Sequence, residues 1–90
     1  MRIALITRDK PKHLKVRLDN REAHLAYIKK TGVVEMAGPF LDDSGQMSGS
    51  LIILDVEDMA VAEAWIAQDP YTKVNLFESV NITQWNKLIG

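Results

Sequence analysis

Cysteine is absent from the 90-residue sequence, and with it go disulfides, thiolate nucleophiles and sulfur metal ligands. A surplus of either charge is also missing. The 11 basic and 12 acidic residues leave a net charge of -1, so there is no broad cationic field to draw phosphate backbones or acidic lipid surfaces. Nucleic acid and membranes are therefore not expected partners. No apolar run approaches the ~20 residues of a membrane span. The first run, Ile3-Ala4-Leu5-Ile6, is also too short for a secretory signal core, which makes the cytoplasm the expected location. The two histidines, His13 and His24, have no carboxylate at helical ligand spacing, so no metal site is recognisable. Phosphate loop, dinucleotide fingerprint and nucleophile elbow are all lacking, and no cofactor is called for.

What is present suits a small folded domain. At 47% hydrophobic and 26% charged residues the chain is far from a disordered composition. Its length makes a single domain, residues 1–90, with a thin core. Ile3 to Thr7 reads as a strand that ends in the charged, proline-closed Arg8-Asp9-Lys10-Pro11. Asp19 and Glu22 have capping-box spacing, and Lys29-Lys30-Thr31-Gly32 closes a helix over 20–31. Leu14 and Leu18 would fit the same face if that helix began earlier. Val33 to Phe40 reads as a strand whose Gly38-Pro39 marks an irregular or edge segment, and Asp42-Asp43-Ser44-Gly45 as a turn. A strand over 49–56, a helix over 59–68 stopped by Asp69-Pro70, and a strand over 77–85 complete the order βαββαβ.

That order predicts an α+β, ferredoxin-like sandwich, a four-stranded antiparallel sheet with two helices on one face. An antiparallel sheet with one wet face should alternate apolar and polar residues. Here Ile3-Ala4-Leu5-Ile6 and Leu51-Ile52-Ile53-Leu54 are apolar throughout. Two helices cover one face only, so a second copy is the economical cover for the other. The expectation is a homodimer packed sheet to sheet, with a higher assembly of dimers left open.

The candidate chemistry centres on Arg21-Glu22-Ala23-His24-Leu25. At ~100° per residue, Leu18 and Leu25 mark the centre of the helix's buried face. His24 then falls at its edge, in one row with Arg17 and Arg21 if the helix reaches that far. Such a row is most simply a solvated flank. Facing a pocket, it would suit a carboxylate or phenolate, because the guanidinium fork fits planar anions. Asp69 before Pro70 and Tyr71 is in the same way either a helix stop or the carboxylate that orients His24 as a general base. Gly38-Pro39 and Gly49-Ser50 mark either bulges or places where backbone and hydroxyl groups approach a ligand. Trp65, Trp85 and Phe40 read as core or interface residues.

Taken together, Arg17-Leu18, Arg21 to Leu25, Ala37-Gly38-Pro39-Phe40, Gly49-Ser50 and Ala67-Gln68-Asp69-Pro70-Tyr71 resemble the YciI family, or YCII-related domain, over essentially the whole chain. The resemblance implies a ferredoxin-like fold dimerised as an α+β barrel, similar to muconolactone isomerase, with a site centred on a histidine and an aspartate. Those fall on His24 and Asp69, and Asp9 matches a commonly acidic position. A longer, glycine-rich connection in close relatives is replaced here by the compact segment 41–48, so ligand identity does not carry across. The family includes a dehydrochlorinase of a chlorinated hydroxyquinol.

Two readings follow. In the first, the chain is a small-molecule enzyme, an isomerase or lyase acting on an aromatic or lactone, with His24 and Asp69 as its acid-base pair. Arg17, Arg21, Gly38, Pro39, Ser50 and Asp9 would bind an anionic or aromatic ligand. In the second, the same pocket belongs to a non-catalytic binding or accessory module.

Overall fold

A computed structural model describes all residues, Met1–Gly90. The elements run β1 (Arg2–Asp9), α1 (Leu14–Asp19), α2 (Arg21–Thr31), β2 (Val34–Leu41), β3 (Met47–Asp55), α3 (Met59–Gln68), α4 (Pro70–Lys73) and β4 (Phe77–Trp85). The four strands form one sheet in the order β2-β3-β1-β4, antiparallel at every step. This is the ferredoxin-like βαββαβ arrangement, with each helical segment split in two.

Register decides which residues make the core. Ile3 lies opposite Leu54 and Leu5 opposite Ile52; all four are fully buried and pack against Ala62, Trp65 and Ile66 of α3. Tyr27 and Ile28 of α2 close on the same cluster. Side chains alternate along a strand, so Ala4, Ile6, Leu51 and Ile53 turn to the other face. There Leu51 is 37% and Met36 47% exposed, and with Gly38 and Phe40 they line an apolar groove. Strand β2 runs unbroken through Gly38-Pro39 as an edge strand, the position in a sheet where a proline is tolerated. Its irregularities fall instead at Val34/Met36 and Phe40/Leu41.

The first helical segment departs from its sequence reading. Asn20, at φ -113 and ψ 7, separates α1 from α2, and its side-chain amide donates to the Val16 carbonyl at 2.8 Å. An asparagine that bonds its own backbone in this way competes with helix continuation. The expected capping box does not form: Asn20 is the N-cap and accepts no side-chain bond, while Asp19 pairs with Lys15 at 2.8 Å. The buried positions are also not the expected ones. Leu18 and Leu25 are 52% and 44% exposed, whereas Arg17 and His24 are buried. Polar side chains take the inward positions because each finds a charged partner inside.

Arg17 anchors α1 to the end of β1. Its Nε donates to Asp9 Oδ2 at 2.6 Å and its Nη2 to Asp9 Oδ1 at 2.9 Å, a bidentate pair with both side chains nearly closed off from solvent. The same Nη2 donates to Ser50 Oγ at 3.1 Å, which ties the pair to β3. Next to Ser50, Gly49 lets two backbones approach, since a β-carbon there would overlap the Thr7 carbonyl oxygen.

Two stability outcomes follow from these contacts. Asp9→Ala strands a buried guanidinium and should cost about 3–5 kcal/mol, a large share of a small domain's total stability, read as a lower urea midpoint. Gly49→Ala forces strand β3 off β1 and should cost roughly 1–3 kcal/mol, whereas Gly38→Ala, with open space around it, should leave the midpoint nearly unchanged.

Candidate active site

Asp69 ends one helix and begins the next. Its backbone leaves the helical region at φ -61 and ψ 130, as a residue before proline must. Pro70 then occupies the first position of α4, where its missing N–H costs nothing. The Asp69 side chain turns back inside, fully buried. Its Oδ1 accepts the Tyr71 backbone N–H at 3.0 Å and meets His24 Nδ1 at 2.8 Å. A carboxylate oxygen can only accept, so Nδ1 carries the proton of this contact, and in the neutral imidazole Nε2 then holds the lone pair. Oδ2 is buried and has no hydrogen-bond partner.

Tyr71 holds the imidazole from the side. The two rings stack at 4.0 Å with 16° between their planes, and Phe77 meets Tyr71 edge-on at 6.1 Å. The Arg17 guanidinium also rests over the Tyr71 ring, 4.7 Å from its centre. Burial pushes the Tyr71 phenol above the usual tyrosine range, against the opposing pull of Arg17 and Arg21. The phenol is thus kept in its protonated, donating form. Burial and the charge of Asp69 push Tyr27 in the same direction, and its hydroxyl donates to the Trp65 carbonyl at 2.7 Å.

These groups open on a cleft of about 130 Å³ between α2 and the β2–β3 edge of the sheet. Its polar side is Arg17, Arg21, His24, Ser50 and Tyr71; its apolar side includes Leu25, Ile28, Pro39, Met47 and Ile52, with Gly38 contributing bare backbone. Of the candidate site residues, His24, Arg17, Arg21, Gly38, Pro39 and Ser50 line this cleft, while Asp69 lies buried behind His24. Asp9 stands behind Arg17 as its counterion and lines a separate polar depression beside Lys10 and His13. The two arginines are not equivalent. Arg17 is buried and neutralised, while Arg21 is exposed and forms no ion pair. No three His, Cys, Asp or Glu side chains converge anywhere in the fold.

The sequence reading gave Tyr71 no part of its own, although it stands in the Asp-Pro-Tyr segment. A proline-started turn directs the residue after it back toward the carboxylate that caps the turn. That placement is the signal that would have found it.

Comparison with known proteins identifies the family. The family described as YCII-related domain matches residues 1–86. Protein YciI of Escherichia coli O6:H1 is 31% identical over 97 residues, covering 98% of this chain and 99% of that protein. Among solved structures, the 5-chloro-2-hydroxyhydroquinone dehydrochlorinase of Burkholderia phenoliruptrix, in complex with 2,5-dihydroxybenzoquinone, matches with a TM-score of 0.87 and 32% identity over 96% of this chain and 94% of that one. An antibiotic biosynthesis monooxygenase, at 12% identity and a TM-score of 0.56 over 96% of this chain and 98% of that one, shares the fold alone. With a family match running nearly end to end, and a curated relative and a solved structure both above 30% identity, the chain belongs to the YCII-related family.

Proposed function

We propose that this protein is a small-molecule enzyme of the isomerase or lyase kind, with His24 as general base and Asp69 as the group that orients it. The observation that carries the reading is the 2.8 Å contact between His24 Nδ1 and the fully buried Asp69 carboxylate at the wall of a cleft. In this reading Nε2 takes a proton from a substrate carbon or hydroxyl. In an elimination, the electron pair of the broken bond forms the new double bond as the leaving group departs with its own pair. In an isomerisation, the proton returns at another atom. Either path places negative charge on a ring or lactone oxygen, which Arg21 stabilises from the cleft rim. Arg17 keeps the wall in place through Asp9 and Ser50. The related hydroquinone dehydrochlorinase supports the chemical class.

The open sheet face supports a homodimer as the assembly. Leu51 and Met36, half exposed on a face without helices, pack against the same face of a second copy, and the dimer closes as an α+β barrel.

Chloride release from 5-chloro-2-hydroxyhydroquinone, the compound in the related enzyme's name, tests the chemistry. Turnover by the native protein should fall about 10² to 10⁴-fold in His24→Ala, with the fold intact by circular dichroism. Equal rates in the two proteins would remove His24 from the mechanism, and binding without turnover by the native protein would make the chain a binding module. For the assembly, light scattering should give twice the mass of one chain, and Leu51→Lys should return it to the mass of one; a native monomer at micromolar concentration would rule the dimer out.

A further inference from the structure

We propose that the polar depression beside the cleft is a second subsite, which takes an oxyanion, carboxylate or phosphate, carried on a short arm of the same ligand whose reacting part lies at His24. The inference rests on the reading of the cleft as a ligand site and adds a substituent that this chain selects outside it.

The two hollows share a wall. Met47 lines both, and the Arg17–Asp9 pair completes the partition, with Arg17 in the cleft and Asp9 in the depression. Methionine is unbranched and turns about three bonds, so this part of the wall can yield to a ligand that spans it. Size argues for spanning. The cleft holds about 130 Å³ and the depression about 220 Å³, and only together do they reach the roughly 300 Å³ at which small-molecule sites begin.

Charge decides what the depression takes. Its carboxylates are already committed. Asp9 is neutralised by Arg17 through two hydrogen bonds. Asp42 holds its own turn, where Oδ1 accepts from the Ser44 N–H at 2.9 Å, the Ser44 hydroxyl at 2.8 Å and the Gln46 N–H at 3.0 Å. Lys10 and Lys12 also line the depression, and neither forms an ion pair. Two ammonium groups thus stand against the one carboxylate of Asp42, and the surplus is positive. Lysine binds carboxylate and phosphate alike as a point charge.

The loop that carries these groups is set for the purpose. Lys12 has φ 62, a left-handed backbone that glycine takes freely and a lysine only under strain. A side chain held there despite the strain puts its charge at the depression. His13 adds a directed group. A carbonyl oxygen only accepts, so its Nδ1 donates to the Pro11 carbonyl at 2.8 Å, and Nε2 makes no bond within the chain. The opposite side comes from the compact 41–48 segment, through Asp42, Gln46, Met47 and Ser48. A longer connection would build a different wall, so the subsite belongs to this chain and not to the family at large.

The two histidines report separately, one in each hollow. Inorganic phosphate titrated into the native protein at low salt should move the imidazole NMR signals of His13. Lys10→Gln combined with Lys12→Gln should abolish that shift, with the fold intact by circular dichroism. His13 unmoved by phosphate, or moved equally in the double variant, would overturn the proposal. The second arm uses 3-phenylpropionate, its uncharged amide and 2-phenylethyl phosphate. Each anion should move His13 and His24 together and bind about 3- to 10-fold more tightly than the amide, an advantage of the size that two exposed ammonium groups give. The double variant should lose that advantage and bind the amide as before, and the tighter of the two anions identifies the oxyanion. Anions that move His24 without His13 would place the charge elsewhere and overturn the subsite while the cleft reading stands. Phosphate acting on His13 while no ring compound acts on His24 would overturn the two-part ligand together with the reading of the cleft.

Discussion

Asp69 brings a carboxylate into a place where it has no contact with water, and three parts of the fold meet at that group. Its backbone ends α3, its Oδ1 caps α4 through the Tyr71 N–H, and the same oxygen holds His24 on α2. A buried charge with so few partners is expensive, and replacing the pair by apolar side chains of similar volume would leave a fold at least as stable. Oδ2 makes the imbalance plain, since nothing in the chain satisfies it. An arrangement kept at such a cost is better understood as orientation of the imidazole than as stabilisation of the fold. The stacked Tyr71 ring works to the same end by restricting rotation of His24.

The two arginines show the same division between holding and acting. Arg17 is locked by Asp9 on one side and Ser50 on the other, and so fixes the corner where α1, β1 and β3 meet. With two of its nitrogens committed and its charge compensated, it adds little net field to the cleft. Arg21, only four residues on, starts a different helix and faces the cleft without a counterion. The break at Asn20 produces this difference. A continuous helix would have put both guanidiniums in one row.

Most of the architecture could be read from local signals. Proline and glycine positions bounded the strands and helices, and the runs at 3–6 and 51–54 marked a sheet apolar on both faces, of which the helix side is dry and the other carries Ala4 and Ile53 nearly buried beside the exposed Leu51 and Met36. Periodicity failed where tertiary partners outweighed it. Leu18 and Leu25 were assigned inward because leucine is apolar, yet Arg17 and His24 hold those places, since Asp9 and Asp69 lie 8 and 45 residues away in sequence and no helical period reports them. The pairing of His24 with Asp69 was likewise beyond spacing arguments and came through family resemblance. Tyr71 went unassigned because its significance lies in stacking on His24, which only three-dimensional packing reveals.

Strand β2 lies between the cleft and the apolar groove of the open sheet face. Ala37, Gly38 and Pro39 wall the cleft on one side and line the apolar groove of the open face on the other. At Gly38 there is no side chain between them, so the partition is a single layer of backbone. An edge strand held by one neighbour is the part of a sheet most free to shift. A second copy packed on the open face would press on that strand and limit its movement, which narrows the range of cleft shapes. In the proposed dimer, contact and ligand fit would be two demands on the same three residues, and a substitution that loosens β2 would act on both.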